Sequence, residues 1–209
     1  MEEPITVPWP ALFVWARLND LRASIGVRDR HREARLRGPS HWNRRMSFVI
    51  TGIDPATYVD YWALDDASLA SRQAIRVVAD ASPGYPDRIT LDDAPVGETV
   101  LLVNHLHQPG ESPYRASGAV YLRSGLSEAS RFIDAIPPAL ARRTLSMRAY
   151  DMSHRLVVAE LVEGRDSAAA IGRLLGRADV AYLHAHYAAY GCFAARVDRL
   201  ERTPIEARA

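Results

Sequence analysis

Histidines at alternate positions are the residues of this sequence best suited to chemistry. Four of the seven histidines form two His-x-His pairs, His105-Leu106-His107 and His184-Ala185-His186. On a β-strand, residues two apart point to the same face, so each pair can present two imidazoles to one point. Strand-borne zinc and iron sites use this spacing. The alternative is that these histidines bond backbone groups or line a polar pocket without a metal.

His184 and His186 are the candidates for two roles, catalytic acid–base groups and metal ligands. The second role implies a divalent transition metal as cofactor. Cys192 is the third catalytic candidate, because an imidazole nearby can lower the pKa of a thiol and make it a nucleophile. The alternative for Cys192 is a buried small hydrophobe, since free cysteine is among the most buried residue types.

Four further residues join His107 as candidates for binding a small anionic ligand. Arg115 can grip a carboxylate or phosphate with two parallel hydrogen bonds, and Tyr114 beside it can stack on the ligand or donate a hydrogen bond. Arg196 and Arg148 are weaker candidates, on apparent strands where an inward arginine needs a partner. All 26 basic residues are arginines, so lysine chemistry is excluded and a single arginine carries less functional weight.

Several functional classes lack their signatures in this chain. The sequence contains no Gly-x-Gly-x-x-Gly, P-loop, Gly-x-Ser-x-Gly, His-Glu-x-x-His or Cys-x-x-Cys motif. The single cysteine excludes an internal disulfide. No apolar run approaches the roughly 20 residues of a membrane span, and the acidic start is unlike a signal peptide. These features predict a cytoplasmic protein that does not engage membranes.

The charge divides the chain into a basic leader and a mildly acidic body. Residues 1–45 hold nine arginines against five acidic residues. This leader can bind nucleic acid or an anionic membrane through its arginines, or it is disordered or a start-site artefact upstream of Met46, which is the interpretation we favour. The body is unsuited to nucleic acid. Residues 202–209 are predicted to form a tail.

Strand patterns outnumber helix patterns between residues 46 and 201. Strands are predicted near residues 46–51, 74–79, 88–91, 99–104, 118–123, 144–150, 155–162 and 180–187, with 193–200 as a strand or helix. Helices are predicted after the caps Asp54, Asp65 and Asp166, and residues 127–136 are predicted to be helical or irregular. The fold class is therefore α+β: a single compact domain with a mainly antiparallel sheet and helices packed on one side.

Several stretches of the body resemble the bacterial domain-of-unknown-function family numbered 1203. They are Met46–Pro55, Arg76–Asp80, Pro83–Pro86, Leu101–Asn104, His107-Gln108, Ser112–Arg115, Tyr182–His186, Gly191-Cys192 and Ala194–Arg196. The resemblance runs from about residue 46 to residue 199 and implies no activity. The family pattern has Cys-Arg where this chain has Asp87-Arg88. The resemblance also makes His105 a weaker candidate for a functional site than His107, His184, His186 and Cys192.

Two hypotheses for function follow from these residues. In the first, the histidine, arginine, tyrosine and cysteine candidates gather in one pocket that binds a small molecule or catalyses a reaction. In the second, the domain is a non-catalytic interaction or regulatory module, for example a homodimer, with scattered polar residues and an exposed apolar patch. Imidazoles in the middle of a buried strand favour the pocket, because burying them costs free energy unless they are bonded or liganded.

Overall fold

Alternating apolar residues build two antiparallel sheets in the computed structural model of the chain, which describes residues 47–200. The strands are β1 Ser47–Thr51, β2 Ala74–Val78, β3 Thr99–Gln108, β4 Ala116–Arg123, β5 Arg131–Ile133, β6 Thr144–Tyr150, β7 Leu156–Glu163, β8 Tyr182–Tyr187 and β9 Phe193–Leu200. The helices are α1 Asp66–Ser71, α2 Pro138–Ala141 and α3 Ser167–Leu175, with 3-10 turns at Pro55–Ala63 and Gly164–Asp166. The predictions for residues 1–45 and 202–209 lie outside the described residues.

The larger sheet has six strands in the order β5-β1-β9-β8-β6-β7. Strand β8 lies in its interior, and all six of its residues are buried. Because side chains alternate along a strand, Leu183, Ala185 and Tyr187 point to one face and pack into the core beneath α3. The other face of β8 carries Tyr182, His184 and His186.

The smaller sheet has three strands in the order β2-β3-β4. Leu101 and Val103 of β3 pack with Val120 and Leu122 of β4, and α1 and the 3-10 turn Pro55–Ala63 complete this second core. Phe193 of β9 belongs to the same core, so this part of the six-stranded sheet meets the three-stranded sheet. The polar face of β8 is therefore directed toward the end of β3.

The predicted helix starts are largely confirmed by side-chain caps. Asp54 accepts a hydrogen bond from the Ala56 amide at 2.9 Å, and Asp65 accepts one from the Ser68 amide at 2.8 Å. Asp166 precedes α3 as predicted, although its side chain makes no capping bond.

Two predicted elements are wrong. Residues 88–91 form turns rather than a strand, because Asp87 binds the amides of Ile89 and Thr90. Part of residues 127–136 forms the short strand β5, which pairs with β1.

The expected antiparallel strands with a few helices are present, and the strands are divided between two sheets. Helix α3 packs on β6, β7, β8 and β9 of the larger sheet. None of the helices in residues 47–200 combines the length and the apolar composition that crossing a membrane requires.

Candidate functional site

The second His-x-His pair lies where the interior strand β8 faces the three-stranded sheet. His184 and His186 are each only 1% exposed, and their side chains share one face because they are two residues apart. The register with the neighbouring strands places Arg148 of β6 and Arg196 of β9 opposite His184. The strand pattern thus fixes a row of nitrogen-rich side chains across the middle of the sheet.

His107 reaches the same point from the other sheet. The β3–β4 ladder shifts register between His105 and Gln108, so Leu106 and His107 of β3 face the single residue Ser117 of β4 at this place. Such a bulge re-aims side chains at the end of a strand. As a result, His107 meets the β8 histidines, while Gln108 donates a hydrogen bond to the Tyr182 hydroxyl at 2.8 Å.

The three histidines form one compact group. One ring nitrogen from each of His107, His184 and His186 lies within 4.8 Å of the other two. The buried atoms Nδ1 of His107, Nδ1 of His184 and Nε2 of His186 have no hydrogen-bond partner among residues 47–200. Native structures leave few buried polar atoms unpaired, so three together require an explanation.

A backbone carbonyl orients one of these rings. Nδ1 of His186 donates to the carbonyl oxygen of Gly191 at 3.0 Å, which leaves the Nε2 lone pair free to bind a metal. Gly191 has a φ of 72°, which glycine adopts without the strain that other residues would meet. The β8–β9 turn therefore fixes both the ring and its tautomer.

Burial keeps the three rings neutral. It lowers the pKa of His184 to about 2, with the neighbouring histidines and arginines adding to the effect. Burial likewise lowers the pKa of His186 and that of His107 to about 4 each. Desolvation disfavours the charged imidazolium. Neutral imidazole is the form that binds metals, so no proton has to leave at neutral pH.

Aromatic rings surround the group. Phe193 stacks on His107 with ring centroids 5.0 Å apart and planes 1° from parallel. Tyr150 and Tyr182 lie beside His184 at centroid distances of 5.0 and 5.3 Å. These rings displace water from the imidazoles, which strengthens electrostatic interactions at this point.

A hydrogen-bonded network fixes the tyrosine next to the histidines. The Tyr182 hydroxyl accepts from Gln108 and lies 2.9 Å from Nδ1 of His154, to which it can donate. Gln108 comes from β3 and His154 from the turn between β6 and β7. The hydroxyl therefore ties the two sheets together beside the histidine group.

The two arginines near His184 differ in their partners. Arg196 pairs with Asp198 at 2.8 Å and lies over the Tyr182 ring, 3.9 Å from its centroid. Arg148, half-buried, makes no ion pair with any residue of the described part of the chain. Its positive charge contributes to the lowered pKa of all three histidines. An anion bound near His184 would therefore meet an uncompensated guanidinium.

The remaining predicted residues lie at different distances from this centre. Tyr114 is 42% exposed and meets Tyr150 edge-on, with centroids 6.5 Å apart. Arg115 is exposed and donates to the carbonyl oxygen of Pro109. Cys192 is not part of the three-histidine group and lines a separate cleft. His107, His184, His186 and Arg196 are thus brought together, whereas Arg115 and Cys192 are not.

Sequence reasoning gave too little weight to Arg148 and did not select Tyr150 or Gln108. Arg148 and Tyr150 alternate on β6 as His184 and His186 do on β8, and that alternation was a usable signal. For Gln108 the sequence holds no comparable signal, because the direction of its side chain depends on the bulge in β3.

Comparison with known proteins gives a family and no activity. A profile of the family described as Protein of unknown function (DUF1203) matches residues 84–199, which is more than half of the chain. The match contains all three histidines and ends near the residue where the sequence resemblance ends, but it begins at residue 84 rather than at residue 46. No curated protein and no solved structure matches the chain.

Proposed function

The chain belongs to the DUF1203 family, and because that description names no activity, we propose from the site itself that it binds a divalent transition-metal ion. His107, His184 and His186 supply the three ligands. The bound ion keeps at least one further coordination position for a small anionic molecule. The protein is then a metal-dependent small-molecule binder or enzyme.

The observation that carries this proposal is that three histidines, each with an unpartnered buried nitrogen, bring one ring nitrogen apiece within 4.8 Å of one another. A buried polar atom without a partner costs about 1–3 kcal/mol. A structural polar cluster would satisfy its members with one another, yet each of these three rings has a buried nitrogen without a partner among residues 47–200. A single cation bound by the converging nitrogens would give each of the three rings a partner. The carbonyl of Gly191 provides the outer bond that a ligating histidine usually makes.

The donor set narrows the choice of metal. Neutral imidazoles suit zinc, copper, iron and nickel, whereas magnesium and calcium prefer oxygen ligands. Three protein ligands with an open position are typical of catalytic zinc sites, and closed structural sites use four. When bound, such an ion polarises a ligand oxygen or lowers the pKa of a coordinated water.

The chain's own residues select the molecule that shares the site. Arg148 offers a guanidinium without an ion-pair partner in residues 47–200, so a carboxylate or phosphate is the favoured class. Tyr150 and Tyr182 cover one side of His184 and exclude water from it. Tyr114 lies further out against Tyr150, where it can contact a larger ligand.

The test is the metal content of the full chain, produced without a His tag and purified without chelators. Mass spectrometry should find about one equivalent of a transition metal, either as purified or after loading with zinc and dialysis. His107→Gln should lose it. His105→Gln is the matched control, because His105 lies on the same strand but bonds the Tyr58 hydroxyl at 2.9 Å.

Two outcomes would contradict the proposal. One is folded wild-type protein that retains no zinc, iron, nickel or copper after loading. The other is equal metal retention in the His107→Gln and His105→Gln variants, which would place the ion elsewhere. Circular dichroism of each variant shows whether the chain is folded, so that loss of structure is not mistaken for loss of ligands.

A further inference from the structure

A second polar site lies on the other side of β8 from the histidines. A cleft of about 290 Å³ opens there between the turn that precedes Arg88 and the β8–β9 turn. Its polar lining residues are Arg88, Arg143, Thr144, Tyr187, Tyr190 and Cys192. The geometry points to a binding site for a small oxyanion, a phosphate or a carboxylate, that is separate from the metal centre.

Arg88 is a buried cation without a carboxylate partner. Its residue is 3% exposed, and its guanidinium donates to the backbone carbonyls of Phe193 and Pro86. No ion pair in residues 47–200 includes it. The carboxylate of neighbouring Asp87 accepts from the amides of Ile89, Thr90 and Arg123, so its negative charge acts on Arg88 only from a distance and without an ion pair. A buried charge of this kind is unfavourable until an opposite charge reaches it.

Tyr187 provides an unsatisfied donor in the same cleft, beside the unpaired charge of Arg88. The residue is 5% exposed, and its hydroxyl has no hydrogen-bond partner among the described residues. The guanidinium carbons of Arg88 and Arg143 lie 5.0 and 5.2 Å from the centre of its ring. A buried phenol between two guanidinium groups can donate its hydrogen bond to an anion held by either.

Arg143 is held in place at the cleft by Asp93. Its guanidinium bonds both carboxylate oxygens, at 2.5 and 3.0 Å. That pair neutralises one of the two positive charges, and the cleft lining contains no Asp or Glu. The charge of Arg88 therefore remains for a ligand. The volume is near the lower end of the roughly 300–1,000 Å³ of small-molecule sites, which suits a small anion.

Titration calorimetry of the full chain with inorganic phosphate, and separately with acetate, tests this inference at low ionic strength. At least one of the two should bind. Tyr187→Phe should weaken that binding at least about tenfold, which is the loss expected for a hydrogen bond to a charged group. Tyr121→Phe is the matched control, since Tyr121 lies outside the cleft. This variant should bind the anion as tightly as wild type.

The single cysteine gives an independent readout. Cys192 lines the cleft and is half-buried, so alkylation by iodoacetamide reports on one position only. The anion that binds should slow this alkylation, and it should do so less in Tyr187→Phe than in Tyr121→Phe.

A further pair of samples separates this site from the metal centre. EDTA-treated protein and His184→Leu protein should bind the anion as tightly as untreated wild type, because the histidines lie on the opposite face of β8. Binding that disappears in both would place the anion at the metal and overturn the inference. Absence of binding by both anions in folded protein, or equal binding by Tyr187→Phe and Tyr121→Phe, would overturn it as well.

Discussion

Replacing His184 by leucine should leave the metal-free protein at least as stable as wild type while abolishing metal binding. His184 is 1% exposed, its Nδ1 has no partner among residues 47–200, and aromatic rings surround it. Replacing a buried side chain normally lowers stability. Here the substitution removes an unsatisfied polar atom and keeps a side chain of similar size. The usual loss of stability should therefore be absent, or stability should rise.

The expected magnitude follows from the penalty for one unpaired buried nitrogen. Removing it should raise the free energy of unfolding by between about 0 and 3 kcal/mol, once imperfect packing of leucine is subtracted. For a chain of this length each kcal/mol moves Tm by roughly 2–4 °C. The shift should therefore lie between about 0 and 12 °C, upward, in the presence of EDTA.

Tyr182→Phe provides the contrasting variant on the same strand and face. Its hydroxyl bonds Gln108 and His154, so its removal leaves buried Gln108 and half-buried His154 without this partner. The free energy of unfolding should fall by about 1–3 kcal/mol. Urea unfolding at pH 7.5 with EDTA, followed by circular dichroism, compares the two variants with wild type. A loss of more than about 2 kcal/mol in His184→Leu would refute the reasoning, since it would mean that the imidazole is satisfied without a metal.

Further predictions concern pH and backbone packing. Because burial holds the folded-state pKa of His184 near 2 and that of His186 near 4, metal-free protein binds fewer protons than the unfolded chain below about pH 6.5. Its stability should fall as pH drops from 6.5 toward 4, by up to about 1.4 kcal/mol per pH unit for each histidine, and urea midpoints should show a shallower slope in His184→Leu. Gly52→Ala should cost about 1–3 kcal/mol, because its Cβ would lie 2.2 Å from the Ile89 carbonyl oxygen. Gly118→Ala, with open space at that position, should change the urea midpoint little.

Local patterns predicted most strands and helix starts because local physics decides them. The alternation in β8 and the caps at Asp54 and Asp65 depend on residues close in sequence. The division into two sheets depends on which strands pair, and no short pattern encodes that. The sequence around Arg88 predicts a strand, but the segment forms turns because the carboxylate of Asp87 binds the amides that a strand would have paired.

The histidine group shows the same division between local and long-range information. The pair His184 and His186 is visible in the sequence, because its spacing of two matches the period of a strand. The third member, His107, comes from another sheet through a bulge, and Cys192, which looked closer in sequence, turns toward a different cleft. Sequence spacing therefore found the two histidines that share a strand. It could not show which candidate from another part of the chain lies beside them.

The energetics of the histidine group link metal binding to folding. Three unpaired buried nitrogens at about 1–3 kcal/mol each amount to a large part of the roughly 5–15 kcal/mol that stabilises a typical domain. A metal that satisfies all three returns this free energy only to the folded chain, because the unfolded chain does not hold the rings together. That free energy is already part of the Kd, so at a free metal concentration 100 times the Kd the total stabilisation is about 2.7 kcal/mol. In the proposed function the same unpaired nitrogens that bind the metal lower the stability of the metal-free fold, and occupancy of the site should decide how much of the chain is folded near its Tm.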